Sequence, residues 1–157
     1  MSRASLETAI PSATPVVLDT SVVLAYLNGK ERASPVAAVV LDDFVRNGRN
    51  TAIISSVTVT ETLVRPFKAG APELGIAEDF LVHFPNLKVD GVDYAVAREA
   101  ARLRAESNLR TPDALIIATA SVHNIPIVVA NDDQWTKPIA TSVPSVTLCH
   151  LDAHAPI

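Results

Sequence analysis

The sequence has very little cysteine and few aromatic residues. Of its 157 residues only Cys149 is a cysteine, and aromatic residues make up 4%. A single cysteine cannot form an internal disulfide or a thiolate zinc cluster, so the composition indicates an intracellular, cytoplasmic protein rather than a disulfide-stabilised secreted one. Hydrophobic residues still make up 48% of the chain. Its core must therefore be built mainly from aliphatic side chains.

Long apolar runs and an excess of positive charge are missing as well. No apolar run in the sequence approaches the roughly 20 residues of a membrane span, and the first residues lack the apolar segment of a signal peptide. We therefore expect no membrane association and no signal peptide. The formal net charge is −4, which does not favour nucleic-acid binding through bulk attraction. A phosphate-containing partner would need a local basic patch or bound metal ions.

Short apolar runs alternate with helical patterns along the chain. The sequence predicts strands at 16–18, 52–54, 87–89, 127–130 and 146–148, and helices at 22–27, 35–46, 58–64, 74–84, 92–107 and 112–122. This alternation is typical of an α/β fold with a parallel sheet that is covered on both faces. We predict one domain at 15–150, preceded by a flexible leader at 1–14 and followed by a tail at 151–157.

Four acidic residues stand where a parallel sheet would bring them together. Asp19 and Asp132 directly follow predicted strands, whereas Glu61 and Asp113 lie in the first turns of predicted helices. Ligands bind at the carboxyl ends of strands in such sheets. Converging carboxylates repel one another, so they must take up protons or share cations. Because oxygen ligands suit Mg²⁺ or Mn²⁺, this arrangement favours a metal-dependent nuclease.

Each acid also has a purely structural interpretation. Asp19 can cap the helix that follows it, and Asp113 can favour the positive end of its helix. Asn131–Asp133 can form a polar turn. Thr58 and Glu61 match a capping box, in which Glu61 reaches back to the cap. The functional interpretation therefore depends on the presence of all four acids together.

The segments around these acids resemble the motifs of PIN-domain ribonucleases, specifically the VapC-type toxins of bacterial toxin–antitoxin pairs. The similar segments are V-V-L-D-T-S-V-V-L-A-Y-L (16–27), S-S-V-T-V-T-E-T-L-V-R (55–65), L-R-T-P-D-A-L-I-I-A-T-A (109–120) and I-V-V-A-N-D-D-Q-W (127–135). The last segment departs from the family pattern, because Gln134 stands where a further acid is common and Trp135 replaces a phenylalanine. Asp133 is the remaining candidate for that further acid.

The resemblance implies a PIN-like three-layer α/β/α sandwich with a mostly parallel central sheet over residues 15–150. It implies an endoribonuclease that hydrolyses RNA with bound Mg²⁺ or Mn²⁺. The residues that would bind the metal and act in catalysis are Asp19, Glu61, Asp113 and Asp132. Thr20 or Ser21 would orient a metal-bound water. The implied partners are an RNA substrate and a cognate antitoxin protein, and we also expect a homodimer.

A basic stretch leads into the third motif. Such a stretch is usually a solvated helix face, but here Arg102, Arg104 and Arg110 are also candidates for contacts with RNA phosphates near Asp113.

Two other functions remain open. An aspartyl-nucleophile phosphatase that uses Asp19 would need a second aspartate two residues later, where the chain has Ser21. A PIN-like module that binds RNA or protein without catalysis is the main alternative, and metal-dependent RNA cleavage would distinguish it from a nuclease.

Overall fold

Five short strands form one sheet in the computed structural model, which describes residues 3–155. The strands are β1 (Val16–Leu18), β2 (Ala52–Ser55), β3 (Leu87–Asp90), β4 (Ile127–Ala130) and β5 (Thr147–His150). Their order across the sheet is β3-β2-β1-β4-β5, and every neighbouring pair is parallel. The predicted mostly parallel sheet is therefore confirmed.

The centre of the sheet is β1, which pairs with β2 on one side and β4 on the other. Val17 is in register with Ile53 of β2 and with Val128 of β4. Every residue of β1 and β4 is buried, as expected for strands that are covered on both faces. The chain builds β2 and β3 on one side of β1 and then crosses to β4 and β5. The topological switch point therefore lies between the carboxyl ends of β1 and β4.

Eight α-helices accompany the sheet within the described residues. They are α1 (Arg3–Ala9), α2 (Thr20–Asn28), α3 (Ser34–Ala38), α4 (Ser56–Ala69), α5 (Ala71–His83), α6 (Tyr94–Glu106), α7 (Thr111–Val122) and α8 (Thr136–Ser142). A π-helical segment, Val39–Arg46, continues α3. Short 3₁₀ turns cover Asp133–Trp135 and Leu151–His154. None of the helices between residues 3 and 155 is both long and apolar enough to cross a membrane.

Two hydrophobic clusters lie on opposite faces of the sheet. Leu18 and Ile54 belong to the cluster that includes buried residues of α1, α2, α3 and α5. Val17 and Val128 belong to the cluster that includes buried residues of α6, α7 and α8. Because successive strand side chains point to opposite faces, this division confirms the predicted three-layer α/β/α sandwich.

The N-terminal segment differs from the flexible leader that we predicted for residues 1–14. Arg3–Ala9 is helical. Leu6 and Ile10 are fully buried in the hydrophobic cluster that contains Leu18 and Ile54. The side-chain amide of Asn50 donates hydrogen bonds to the carbonyls of Pro11 and Thr14, both at 2.8 Å. These contacts hold residues 3–14 against the rest of the fold. Residues 1–2 of the predicted leader lie outside the described range.

At the other end of the chain, Leu151 is fully buried, so the predicted tail at 151–157 begins inside the core. Residues 156–157 lie outside the described range. The limits of the nuclease domain at 15–150 stay a prediction.

The helix that we predicted to end at Val64, before Pro66, continues to Ala69. Proline removes one backbone donor from a helix, but this loss is confined to a single hydrogen bond near the end of α4. The next turn is closed by Gly70, whose N–H donates to the Pro66 carbonyl at 3.0 Å. Gly70 has φ = 118°, a conformation that favours glycine, and the helix stops there.

Candidate active site

Asp19 lies at the carboxyl end of β1 and caps α2. Its carboxylate accepts hydrogen bonds from the Ser21 N–H at 3.0 Å and from the Ser21 hydroxyl. That hydroxyl in turn accepts a hydrogen bond from the Asn131 N–H at 3.0 Å, just beyond β4. The structural interpretation of Asp19 as a cap is therefore confirmed. The same contacts hold its carboxylate at the switch point, so capping does not exclude a functional role.

The Asp19 carboxyl is buried, with 7% of the residue exposed. Burial raises the pKa of this carboxyl, and the negative charge of Asp113 raises it further, against the opposing hydrogen bonds from Ser21. Two acids that are far apart in sequence therefore feel each other's charge. Such a site favours either a proton or a cation beside Asp19.

Glu61 does not belong to a capping box, contrary to one of the two interpretations of the sequence. The cap of α4 is Ser55, whose hydroxyl accepts a hydrogen bond from the Val57 N–H at 3.2 Å. Glu61 lies six residues after Ser55, too far along the helix to reach back to this cap. Its carboxylate accepts a hydrogen bond from the Thr20 hydroxyl. The Thr20 and Thr58 hydroxyls are 3.1 Å apart and hydrogen-bonded. These contacts hold Glu61 next to the residue that follows Asp19.

Asp113 lies in the first turn of α7 and is paired with Arg110. Pro112 is at the start of this helix, where its missing donor costs no hydrogen bond. Arg110 Nε donates to Asp113 Oδ2 at 2.9 Å, and Arg110 Nη2 donates to Asp113 Oδ1 at 3.3 Å. The Asp113 side chain is 12% exposed, whereas that of Arg110 is 74% exposed. The carboxylate is thus enclosed by the fold, and its partner is on the surface.

Asp132 and Asp133 follow β4 but have different surroundings. Asp132 is partly buried and caps the 3₁₀ turn by accepting a hydrogen bond from the Gln134 N–H at 2.9 Å. The Asp133 side chain is 95% exposed, and its carboxylate is 2.9 Å from His150 Nε2. Asp133 therefore lies beside the end of β5, on the side of β4 away from β1.

Several acids raise the pKa of the Arg110 guanidinium. The hydrogen bond to Asp113 is the main cause that raises the Arg110 pKa, and the charges of Asp132 and Glu61 raise it as well. Asp19 is coupled to Asp113. Contacts also link three of these acids, because Ser21 binds Asp19 and accepts a hydrogen bond from the Asn131 N–H beside Asp132, and Thr20 binds Glu61.

The chemistry of this donor set fits a hard divalent cation, because carboxylates and hydroxyls are oxygen ligands. The arrangement is nevertheless not that of a preformed metal site. Among residues 3–155, no three histidine, cysteine, aspartate or glutamate side chains form a group that could hold a metal ion as they stand. All four acids already accept hydrogen bonds from the protein itself, Asp19 from Ser21, Glu61 from Thr20, Asp113 from Arg110 and Asp132 from Gln134. Binding would therefore require side-chain adjustment.

The basic residues near the site differ in how strongly they are held. The Arg102 guanidinium donates to Glu99 at 2.6 Å, to Glu106 at 2.8 Å and to the Ser142 carbonyl at 3.1 Å. Arg104 makes one hydrogen bond through Nε, to the Leu109 carbonyl at 3.2 Å. Arg102 therefore serves mainly to join α6 to the end of α8.

A polar cleft lies beside the fourth motif. Its volume is about 460 Å³, and its lining includes Arg104, Asn108, Gln134 and Lys137. Lys137 was not among the residues that the sequence identified as candidates. Lys137 lies about one turn after Gln134 and is exposed. This position indicates a role in the cleft only when α6 and α8 are known to be neighbours.

An apolar groove separates α2, α4 and α5. It has a volume of about 370 Å³ and is lined in part by Leu24, Leu27, Thr62, Pro66 and Ile76. Ile76 is 66% exposed, and the Thr62 hydroxyl is buried without a hydrogen-bond partner among the described residues. An exposed apolar surface of this kind is a candidate binding site for a partner.

Comparison with known proteins identifies the family to which the fold belongs. The sequence profile of the PIN domain matches residues 16–138. No curated protein sequence matches the chain significantly.

Similar solved structures include a toxin–antitoxin complex from Klebsiella pneumoniae, at 23% identity and a TM-score of 0.62 over 84% of this chain and 95% of that chain. DNA-bound VapBC from Salmonella typhimurium has 21% identity and a TM-score of 0.64, over 88% and 98% of the two chains. The sarcin–ricin-loop-cleaving toxin VapC20 from Mycobacterium tuberculosis has 17% identity and a TM-score of 0.64, over 78% and 93%. At these identities the likeness shows the fold.

Proposed function

Because the chain belongs to the PIN-domain family, we propose that it is a metal-dependent endoribonuclease and the toxin of a type II toxin–antitoxin pair. The observation that carries this proposal is the pair of contacts at the carboxyl ends of β1 and β4, where Thr20 binds Glu61 beside Asp19 and Ser21 links Asp19 to the Asn131 N–H beside Asp132. Asp113 also acts on this place, since its charge raises the pKa of Asp19. Similarity to solved toxin–antitoxin structures supports the biological role.

The proposed reaction is hydrolysis of an RNA phosphodiester bond. A bound Mg²⁺ or Mn²⁺ would stabilise charge on the phosphate and make a water molecule more acidic. Asp19 and Asp113 would hold the cation, since both are enclosed by the fold. Ser21 keeps Asp19 in place, and Thr20 holds one oxygen of Glu61. The other oxygen of Glu61 is then available to the cation or to a proton of the attacking water.

Arg104 and Lys137 would contact the RNA backbone from the polar cleft. Both are exposed, and the cleft adjoins Gln134, two residues beyond Asp132. Lys and Arg contacts to phosphates supply affinity that does not depend on sequence. Together with the cation, they explain how a protein with a net charge of −4 can bind a polyanion.

The nuclease proposal is tested by incubating the purified protein with RNA in Mg²⁺ or Mn²⁺. We expect cleavage that EDTA abolishes and that added metal restores, and we expect none with Asp113→Asn. If the protein binds RNA without cleaving it in any of these metals, it is a non-catalytic RNA-binding module. Equal cleavage by wild type and by Asp113→Asn would instead point to a contaminating nuclease.

The proposed partner is a cognate antitoxin whose segment fills the apolar groove between α2, α4 and α5. Its apolar side chains would cover Ile76, Leu24 and Leu27. We further propose a homodimer, supported by the exposed Val64, Phe67 and Tyr94.

The toxin proposal is tested by expressing the chain in bacteria with and without the protein encoded next to it. We expect growth arrest that the neighbouring protein relieves. Ile76→Asp should keep the arrest but lose the relief, because it places a charge in the groove. Val82→Asp is the matched control, since Val82 is 71% exposed on the same helix and is not among the groove-lining residues. Normal growth with abundant folded protein would contradict the proposal.

A further inference from the structure

Arg110 makes a two-point contact with Asp113. Nε and Nη2 of the guanidinium donate to different oxygens of the carboxylate, at 2.9 and 3.3 Å. Paired N–H groups match the geometry of a carboxylate and make the strongest of the charge-assisted contacts. Any other cation that approaches Asp113 therefore meets a carboxylate with both oxygens already engaged.

The two partners are not equally fixed in place. The Asp113 side chain is 12% exposed and belongs to the buried helix α7, whereas the Arg110 side chain is 74% exposed. The guanidinium can move into solvent without disturbing the core, because an exposed ion pair contributes only modestly to stability. The carboxylate cannot move in the same way. The contact can thus open by rotation of Arg110 alone.

Arg110 also balances the charge of the other acids. The charges of Asp132 and Glu61 act on its guanidinium in addition to that of Asp113. Without the guanidinium, the negative charges of Asp113, Asp132 and Glu61 would lack this positive partner. Their repulsion would destabilise the fold.

We propose that Arg110 is a built-in counter-ion that competes with the divalent cation for Asp113. This inference rests on the proposed metal-dependent function. In the absence of a divalent cation, Arg110 neutralises the acids and stabilises the site. When the cation binds Asp113, the guanidinium leaves and faces solvent at the mouth of the site, where it can bind an RNA phosphate. Metal binding and RNA binding are then coupled through one side chain.

The test is Mn²⁺ affinity, measured by calorimetric titration of the full chain in the absence of RNA. The variants are Arg110→Gln, Arg110→Lys and the control Arg98→Gln. Arg98 is an exposed arginine of α6. Its neighbour Glu99 accepts a hydrogen bond from Ser121, which lies at the end of α7 opposite to Asp113. Replacement of Arg98 removes the same charge far from the acids.

We expect Arg110→Gln to bind Mn²⁺ more tightly than wild type, by roughly fivefold, because the competitor is gone. Arg98→Gln should bind like wild type. Arg110→Lys should lie between wild type and the Gln variant, because lysine keeps the charge but cannot make the two-point contact. Thermal melting in EDTA gives a second readout, in which Arg110→Gln should melt below wild type. Saturating Mn²⁺ should remove that difference.

Equal Mn²⁺ affinity of wild type and Arg110→Gln would overturn the inference, and so would weaker binding by the variant. If Arg110→Gln fails to fold, equal affinity of Arg110→Lys and wild type overturns it instead. If either of these affinity results is found and wild type still cleaves RNA in a metal-dependent way, the nuclease proposal holds. Only the competition between Arg110 and the cation is then wrong. If wild type binds no Mn²⁺ and cleaves no RNA, both the inference and the nuclease proposal are wrong.

Discussion

The hydroxyl of Thr20 donates a hydrogen bond to the carboxylate of Glu61, which is 41 residues further along the chain. Thr20 directly follows Asp19 at the start of α2, and Glu61 lies one turn into α4. The bond therefore links the elements that carry the first two acids. Because Ser55, and not Glu61, takes part in the cap of α4, a substitution of Glu61 can alter catalysis without removing the cap.

We expect Glu61→Gln to fold normally and to lose most RNA cleavage. The glutamine carbonyl can still accept the hydrogen bond from Thr20, whereas a neutral amide is a poor Mg²⁺ ligand and cannot act as a base. The measurement is the initial cleavage rate in saturating Mg²⁺, with a melting curve on the same preparation. Glu78→Gln, an exposed substitution on α5, should change neither. A wild-type cleavage rate for Glu61→Gln would assign Glu61 a structural role.

We expect Asp19→Asn to stabilise the protein at neutral pH in the presence of EDTA. Burial raises the pKa of the Asp19 carboxyl in the folded state, so the ionised form destabilises the fold. The contribution of this group to stability is complete below its unfolded pKa of roughly 4 and is lost as the pH rises through the raised folded pKa. Asparagine removes the charge and can still cap α2 through Ser21.

The melting temperature of Asp19→Asn should therefore exceed that of wild type at pH 7, by about 2–4 °C for each 1 kcal/mol gained. The difference should shrink as the pH falls towards 4. A variant that melts below wild type at pH 7 would show that the charged form of Asp19 stabilises the fold.

We expect the arginines of α6 to have separate roles. Arg102→Gln should lower stability by up to about 1 kcal/mol, because it breaks partly exposed pairs with Glu99 and Glu106, and it should leave RNA affinity unchanged. Arg104→Gln and Lys137→Gln should weaken RNA binding, and each should reduce the salt dependence of log K by about 0.7–0.9. RNA titrations at several salt concentrations check this. A reduced salt slope for Arg102→Gln would show that it also contacts RNA.

We expect Leu6→Ala to destabilise the fold strongly, by about 2–5 kcal/mol, because Leu6 is fully buried and its truncation leaves a cavity. Val82→Ala, on the surface of α5, should cost less than about 0.5 kcal/mol. Chemical denaturation measures both. Equal stability of Leu6→Ala and wild type would mean that the N-terminal segment does not pack against the core.

The location of the four acids was predictable because it follows from topology. Asp19 and Asp132 come directly after apolar runs that had to be buried strands, and parallel strands end at the same edge of a sheet. Asp113 lies in the first turn of a helix that the sequence predicted at 112–122. In each case the prediction needed only the order of the elements.

The partners of these acids could not be predicted in the same way. The pair of Arg110 with Asp113 depends on the rotamer of an exposed side chain, and the bond from Thr20 to Glu61 depends on how α2 meets α4. The capping box was a misleading local signal, since Ser55 caps the helix three residues earlier. Leu6 of α1 and Ile10, which directly follows that helix, have helical spacing, but their small and polar neighbours conceal a segment that packs against the core.

The most direct test of the site is a crystal structure of the protein grown with Mn²⁺, with diffraction data recorded above the manganese absorption edge. The anomalous signal distinguishes manganese from water and from lighter ions. The account predicts an anomalous peak between the carboxylates of Asp19 and Asp113, with Arg110 turned away from Asp113. A peak only elsewhere, such as beside Asp133 and His150, or no peak from crystals grown in saturating Mn²⁺, would contradict it.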